Sequence, residues 1–390
     1  MTRNSETTLT NATKAPLSRR AALGALAAAP TALAAPALAQ APRTLSLVST
    51  WPRGLPGLAT AADRFVERVN TMAAGSLVIE LFHAGEKVGA FDSFDAVVKG
   101  DADMYHGAEY YWEGRNKAFN FFTTVPFGFT AEEFDAWMQF GGGQQLWDEL
   151  SAQYGLRCLT AGNTGVQMGG WYARPIRSLS DMKGLRIRIP GLAGDIFREL
   201  GSEPVSLPAG GIAAALFAGE IDAVEWVGPY NDLEFGVQKV LTNYMYPGFH
   251  EPGTSVGLGI NQKVWDSLGQ PEQAIIRAAA AAENRSMLAE YSARSGKALE
   301  QLQAEFGTNV ARFADDIYAE VARITADKIS SIAAQDSYSR RVVESFLSFR
   351  EKVVPYSSQV AGTFAQHRHA WQMAQVKPAP AEEAIVDMMD

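Results

Sequence analysis

Several polar or amphipathic residues interrupt otherwise apolar, turn-rich stretches: Tyr110, Tyr111, Asn163, Gln167, Arg188, Glu225, Trp226 and Glu251. Arg188 carries the most specific chemistry. It lies in the alternating run Leu185-Arg186-Ile187-Arg188-Ile189, just before Pro190-Gly191. A strand there puts Leu185, Ile187 and Ile189 on the core face and both arginines on the other. A planar, permanently charged fork suits a carboxylate. Arg186 reads as an ordinary surface ion pair, and for Arg188 the two readings balance on pattern alone. Glu225 and Trp226 follow the apolar run 221–224 and precede Gly228-Pro229. That places them at a strand's carboxyl end, where α/β domains gather ligands. Glu225 and Glu251 fit three roles: an acid-base pair, oxygen ligands of a hard cation, or surface charge. In Val166-Gln167-Met168-Gly169-Gly170-Trp171-Tyr172, alternation puts Gln167 and Trp171 on one face, Met168 and Tyr172 on the other. Gln167 is therefore a candidate cleft residue.

Zinc and nucleotide chemistry find no local support. His250-Glu251-Pro252-Gly253 has no second histidine four residues on, and Pro252 would break the helix that a zinc hydrolase needs. Gly257-Leu258-Gly259-Ile260-Asn261-Gln262 lacks the third glycine of a dinucleotide fingerprint, and the sequence holds no phosphate loop. His367-Arg368-His369 reads as the solvated face of a polar helix, while His83 and His106 stand isolated. Cys158, the one cysteine, reads as a buried strand residue rather than a reactive thiol.

Short apolar runs and helical patterns alternate over 44–50, 58–72, 77–82, 91–99 and 102–106, a βαβα rhythm that predicts an α/β domain. A second such stretch opens at Leu185, with a helix over 194–200 and strands near 223–227 and 255–261. From Pro271 to Phe306 the composition predicts one helix, roughly 50 Å long at the usual rise. A helix of that length must bridge domains or reach a partner subunit. Helices are also expected over 315–334 and 338–354.

At the N-terminus Ser18-Arg19-Arg20-Ala21 opens an apolar run that ends at Ala37-Leu38-Ala39, the pattern of a twin-arginine signal peptide cleaved before Gln40. Later stretches offer nothing like the roughly 18 consecutive apolar residues of a membrane helix. Cleavage would take the net charge from −9 to about −12, which disfavours nucleic acid as a partner. About 350 mature residues also exceed what one hydrophobic core sustains, so two domains are expected.

Four stretches together resemble the extracytoplasmic solute receptors of tripartite ATP-independent periplasmic (TRAP) transporters, in the branch that binds 2-oxo and 2-hydroxy monocarboxylates. They are 161–171, 183–191 with its Lys-Gly-Leu-x-x-Arg-x-Pro-Gly pattern, 219–230, and Pro247-Gly248-Phe249-His250-Glu251-Pro252-Gly253. The resemblance covers nearly the whole mature chain. It implies an α/β, two-domain periplasmic-binding-protein fold with a hinge, a ligand cleft between the domains and long C-terminal helices. It also implies that Arg188 pairs with the ligand carboxylate. A metal ion beside the ligand would be held by Gln167, Glu225, the carbonyl of Trp226, and Glu251, with Asn163, Tyr110 and Tyr111 near the substrate. Oxygen ligands point to Ca²⁺ or Na⁺. Two glutamates and one substrate carboxylate against Arg188 and the ion favour Ca²⁺, because a buried site disfavours uncompensated charge. The sequence departs from the branch at Phe249, at Ala209-Gly210-Gly211 and at His106-Gly107-Ala108-Glu109, which leaves the carboxylate's identity open.

The expected organisation is a signal peptide over 1–39, domain I over 40–165 and 252–275, and domain II over 166–251. Bridging and C-terminal helices follow over 276–377, with an acidic tail over 378–390. The expected function is capture of pyruvate, lactate or a related acid with its ion in the periplasm. Closure by hinge motion and delivery to the membrane subunits of a TRAP transporter would follow, with a homodimer through the long helix as a further partner. Two rivals remain: an exported enzyme using Glu225 or Glu251 as general base on a metal-polarised 2-oxo acid, and an envelope assembly protein without a small ligand.

Overall fold

The computed structural model describes residues 42–368; the expected signal peptide, the acidic tail and His369 lie outside them. In chain order the strands are β1 (Arg43–Ser49), β2 (Leu77–Phe82), β3 (Met104–Gly107), β4 (Leu156–Asn163), β5 (Gly170–Tyr172) and β6 (Arg186–Arg188). Then come β7 (Glu203–Val205), β8 (Ala223–Val224), β9 (Asn243–Tyr246), β10 (Ser255–Asn261) and β11 (Asn309–Arg312). The helices are α1 (Leu58–Ala73), α2 (Ser93–Lys99), α3 (Ala131–Phe140), α4 (Gly143–Ala152), α5 (Gly191–Glu199) and α6 (Ala209–Phe217). They continue with α7 (Pro229–Phe235), α8 (Gln262–Ser267), α9 (Gln270–Phe306), α10 (Asp315–Ala333), α11 (Ser337–Ser357) and α12 (Thr363–His367).

Two sheets organise the chain, in the orders β2-β1-β3-β10-β4 and β11-β9-β5-β8-β6-β7. The strands expected over 44–50, 77–82, 102–106, 185–189 and 255–261 are present, whereas β8 is only Ala223–Val224 and β5 begins at Gly170; β11 adds a strand to the second sheet from within the stretch expected to be helical. The helix expected over 194–200 begins three residues earlier, at Gly191.

Strand direction decides where a ligand can sit. β1 and β3 are parallel, whereas β10 runs antiparallel to both β3 and β4. The start of β10 therefore lies on the same edge as the ends of β1, β3 and β4, with Ser255 opposite Asn163 and Gly257 opposite Gly107. In the second sheet β5 is antiparallel to β8 and β9, and β6 is parallel to β8. Its corresponding edge gathers Arg188, Glu225, the segment before Gly170 and the segment after Tyr246. Two crossovers, 164–169 and 247–254, join the two edges. A third connection runs from α9 through Gly307, at φ 65°, into β11.

The 37 residues of α9 span about 55 Å, and the helix packs on β4, α1 and α7. Its buried residues Ile276, Ala279, Ala280, Glu283, Met287 and Tyr291 keep a three-or-four spacing toward the core. Glu283 is fully buried, bonded by Arg64 and Arg68 from α1.

Within the first sheet, Gly257 and Gly259 let β10 lie close to bulky partners. A Cβ at Gly259 would meet the Tyr105 ring at 2.1 Å, and one at Gly257 would meet the Glu109 Oε1 atom at 2.5 Å. The Tyr105 hydroxyl donates to Glu109 Oε1 at 2.8 Å, and buried Cys158 lies 3.5 Å from the same hydroxyl. Burial pushes the Glu109 carboxyl up to about 8, against the Tyr105 hydrogen bond. An acid whose folded pKa is raised holds its proton better folded than unfolded. The contribution of Glu109 to stability is therefore fully present below about pH 4.5 and is lost as pH rises to about 8. Glu109→Gln should flatten that part of the decline, measured as melting temperature between pH 6 and 9 beside the parent. An unchanged slope would show that Glu109 does not titrate there.

Candidate functional site

The two edges close on a small cavity with about 10 Å³ of free space, roughly room for one water molecule. The first sheet contributes Trp51 after β1, Leu58 of α1, Ala108, Tyr110 and Tyr111 after β3, and Val256 of β10. Thr164, Gln167 and Thr254 come from the crossovers, and Arg188, Trp226 and Val227 from the second sheet.

Arg188 ends β6 with only 1% of its surface exposed. Its Nε donates to the Leu207 carbonyl at 3.0 Å, and Nη1 donates to the Glu225 carbonyl at 2.8 Å and to Glu225 Oε2 at 3.3 Å. The guanidinium stacks 4.8 Å from the Trp226 ring centre, while Nη2 has no partner. One face of the fork is fixed by the protein and the other is left to bond a ligand. Arg186, as expected, sits outside and pairs with Asp222 at 2.5 Å.

Glu225 follows β8 and is fully buried; burial first, then Asp232, pushes its carboxyl up to about 8 against the pull of Arg188. Burial and the charge of Glu225 push Glu251 up to about 7. Glu251 accepts from the Thr254 hydroxyl at 2.5 Å. His250 brings Nε2 to 3.2 Å from Glu225 Oε1, but burial lowers its pKa to about 4. The imidazole is thus neutral at neutral pH, and the contact is not an ion pair. Neither Glu225 Oε1 nor His250 Nε2 has a hydrogen-bond partner. Ligand atoms of Glu225, His250 and Glu251 all lie within 4.8 Å of one another.

Gln167 donates from Nε2 to the Thr164 and Thr254 hydroxyls at 2.9 and 3.1 Å, leaving its carbonyl oxygen unpartnered. Its place differs from the strand expectation. β5 begins only at Gly170, so Gln167 lies in a crossover, and alternation does not orient it. Trp171 instead faces away and donates to Asp232 at 2.8 Å. Asn163 ends β4, buried; its Oδ1 accepts from the Gly165 amide at 2.8 Å and its Nδ2 is unpartnered. It is not among the cavity's lining residues, whereas both tyrosines are. Burial raises the Tyr111 hydroxyl to about 12, while the nearby Arg188 charge opposes this.

Sequence reasoning missed Trp51, Thr164, Thr254, His250 and Asp232. Asp232 is buried at the start of α7 and accepts from Trp171, Tyr244 and the Gly228 amide at 2.8, 2.7 and 3.1 Å, which fixes the turn behind Glu225 and Trp226. Its usable signal was an acid in the first turn after Gly228-Pro229.

Buried oxygen atoms without donors, paired acids held up by burial and a half-open guanidinium make a site suited to a hard cation together with an anion. Zinc-type nucleophile generation has only one nitrogen to draw on here. His367, exposed, bonds its own helix at the Thr363 carbonyl, 2.8 Å away.

Residues 48–336 match the family model described as bacterial extracellular solute-binding protein, family 7. A monocarboxylate 2-oxoacid-binding periplasmic protein of Nostoc sp. is 37% identical over 311 residues, which cover 80% of this chain and 85% of that one. Among solved structures, a TRAP transporter solute binding protein of Bordetella bronchiseptica is 32% identical with a TM-score of 0.83, over 85% of this chain and 98% of that one. It is a mixed-occupancy dimer, with copurified calcium and picolinate in one active site and the other apo. A TRAP periplasmic solute binding protein of Pseudoalteromonas atlantica, with sodium and pyruvate bound, is 34% identical with a TM-score of 0.81, over 83% and 99%.

Proposed function

The chain belongs to bacterial extracellular solute-binding protein family 7, and from that premise we propose that it is the periplasmic receptor of a TRAP transporter for a small 2-oxo monocarboxylate, bound with Ca²⁺ or Na⁺. The observation that carries this reading is the convergence of unpartnered Arg188 Nη2 and Gln167 Oε1 at one buried cavity, with Glu225, whose Oε1 is also unpartnered, in contact with Arg188 beside it. Gln167, Glu225, Glu251 and the Trp226 carbonyl would hold the cation, with His250 beside them. The cation supplies positive charge that offsets the two glutamates and the incoming carboxylate. Arg188 orients that carboxylate, and the tyrosines and the Trp226 ring exclude water from it. Binding is the family's work, so the glutamates serve as ligands rather than as a general base.

The closed edges must part to admit a ligand. Lys117 bonds Asp195 at 2.6 Å, and Asn120 accepts from the Leu192 amide at 2.9 Å, across one flank. On the other flank Asn231 donates to the Pro56 carbonyl at 2.5 Å. These contacts are lost on opening and add to the ligand's preference for the closed state.

Calorimetric titration of refolded, ligand-stripped protein with pyruvate, lactate and longer 2-oxo acids, each with and without Ca²⁺ or Na⁺, tests the proposal. Ion-dependent binding of a 2-oxo acid, recovered unchanged afterwards, is expected; turnover of the acid would favour the enzyme reading instead. The same reading includes export through Arg19-Arg20 and a homodimer through the long helices. The exposed Tyr356, Val360 and Phe364, four residues apart near the end of the C-terminal helices, favour the dimer. A chain that sediments as a monomer at micromolar concentration would remove it.

A further inference from the structure

His106 looked isolated in sequence, and the stretch His106-Gly107-Ala108-Glu109 departed from the resembled branch. In the fold, the fully buried His106 leaves β3 and reaches across β10. Its Nδ1 accepts from the Trp51 indole at 3.0 Å, and its Nε2 lies 3.3 Å from the Ala161 carbonyl on β4. An indole N–H only donates and a carbonyl only accepts, so the ring is the neutral Nε2–H tautomer. Burial lowers its pKa to about 4, which keeps that tautomer throughout the neutral range. The Trp51 backbone is pinned as well: its amide bonds Ser49 Oγ at 3.1 Å, and its carbonyl accepts from the Ala84 amide at 3.0 Å. The indole meets Tyr111 edge to face at 6.1 Å and, with Leu58 and Ala108, walls the cavity.

Strand order locates that wall relative to the ion-binding groups. Gln167 and Glu251 hang from the crossovers attached to β4 and β10, whereas Trp51, Leu58 and Ala108 come from β1, α1 and β3. Neighbouring strands lie about 4.8 Å apart, so the apolar wall stands one to three strand spacings from those groups. A 2-oxo acid anchored at Arg188 and Gln167 would leave its remaining substituent among the apolar lining, of which Trp51, Leu58 and Ala108 form the part on the first sheet.

We propose that His106 is a specificity-positioning residue: by locking the Trp51 indole it fixes the depth of the tail pocket and selects 2-oxo acids with compact aliphatic tails over branched ones. The inference rests on the 2-oxo acid reading above. A wall held at its backbone and at its indole nitrogen does not rotate away, so a branched tail meets it as a clash. Release of the indole would let the wall yield.

The test measures Kd by calorimetry, in saturating Ca²⁺, for pyruvate, 2-oxobutyrate and 4-methyl-2-oxopentanoate. The parent, His106→Leu and His106→Asn are compared; the last keeps an acceptor near the Nδ1 position. The parent should favour pyruvate over the branched acid by about tenfold or more. His106→Leu should lose about tenfold of that preference with altered tryptophan fluorescence, and His106→Asn should restore it. If His106→Leu does not fold, Trp51→Phe removes the same hydrogen bond from the other side and should relax selectivity likewise. Equal selectivity in the parent and the variants, or a parent that binds the branched acid as tightly as pyruvate, overturns the inference and leaves the receptor reading standing. A parent that binds none of the three acids overturns the 2-oxo acid reading and this inference together.

Discussion

Replacing Arg188 with alanine is expected to weaken carboxylate binding by at least about a hundredfold, in line with the 2–5 kcal/mol lost when one partner of a buried charge pair is removed. Nη2 is a buried guanidinium nitrogen without a protein partner, and it belongs to a cavity-lining side chain. The same substitution strips donors from the Leu207 and Glu225 carbonyls, which costs about 1–3 kcal/mol of stability for each buried group left unsatisfied. The structure therefore predicts a folded protein with a lowered melting temperature. Arg188→Lys separates the two effects, since it keeps the charge and loses the fork. Its affinity should lie between those of the parent and the alanine variant. Calorimetry for affinity and circular dichroism for folding read both. Undiminished affinity in a folded Arg188→Ala protein would remove Arg188 from the site.

Stripping the cation should do comparable damage from the opposite side. Without it, Glu225, Glu251 and the incoming carboxylate face only Arg188, and burial already disfavours the charged forms of both glutamates. After chelation and dialysis against sodium-free buffer, carboxylate affinity should fall at least about a hundredfold and return on adding Ca²⁺ or Na⁺. Linkage makes the coupling reciprocal, so the carboxylate must tighten cation binding by the same factor. Glu251→Gln and Gln167→Ala should weaken the cation more than Arg188→Lys does. Cation at about 100 times its Kd should also stabilise the protein by about 2.7 kcal/mol, visible as a raised melting temperature. Carboxylate binding that ignores the cation would reject the shared site.

Much of the scaffold was legible because it follows local rules. The strands over 77–82 and 255–261 coincide with β2 and β10, where apolar runs end at turn residues. The long helix was readable from composition alone. Elements that went unread lacked such independence. β9 and β11 are short and exist through their pairing with each other. α3 was missed although Thr130 and Glu133 form a capping box with a 2.9 Å bond, a signal present in the sequence. At the site, Glu225 was singled out by strand-end logic and Arg188 by strand alternation, and the structure places Arg188 at the end of β6 and Glu225 just after β8. Gln167 was reached by an alternation that the crossover does not obey. His250, Asp232 and His106 act through partners such as Glu225, Tyr244 and Ala161. These lie 12 to 55 residues away, beyond any local pattern.

The crossovers 164–169 and 247–254 join the two sheets and also carry Gln167 and Glu251. Points near an axis of rotation move least when the bodies on either side swing, while Trp51 and Arg188 stand on the swinging bodies. The receptor's mouth should therefore part first at its organic end, leaving the cation seated near the pivot. Uptake then becomes an ordered exchange in which the acid leaves before the ion. In stopped-flow measurements the carboxylate should dissociate faster than the cation; simultaneous departure of the two would contradict the order.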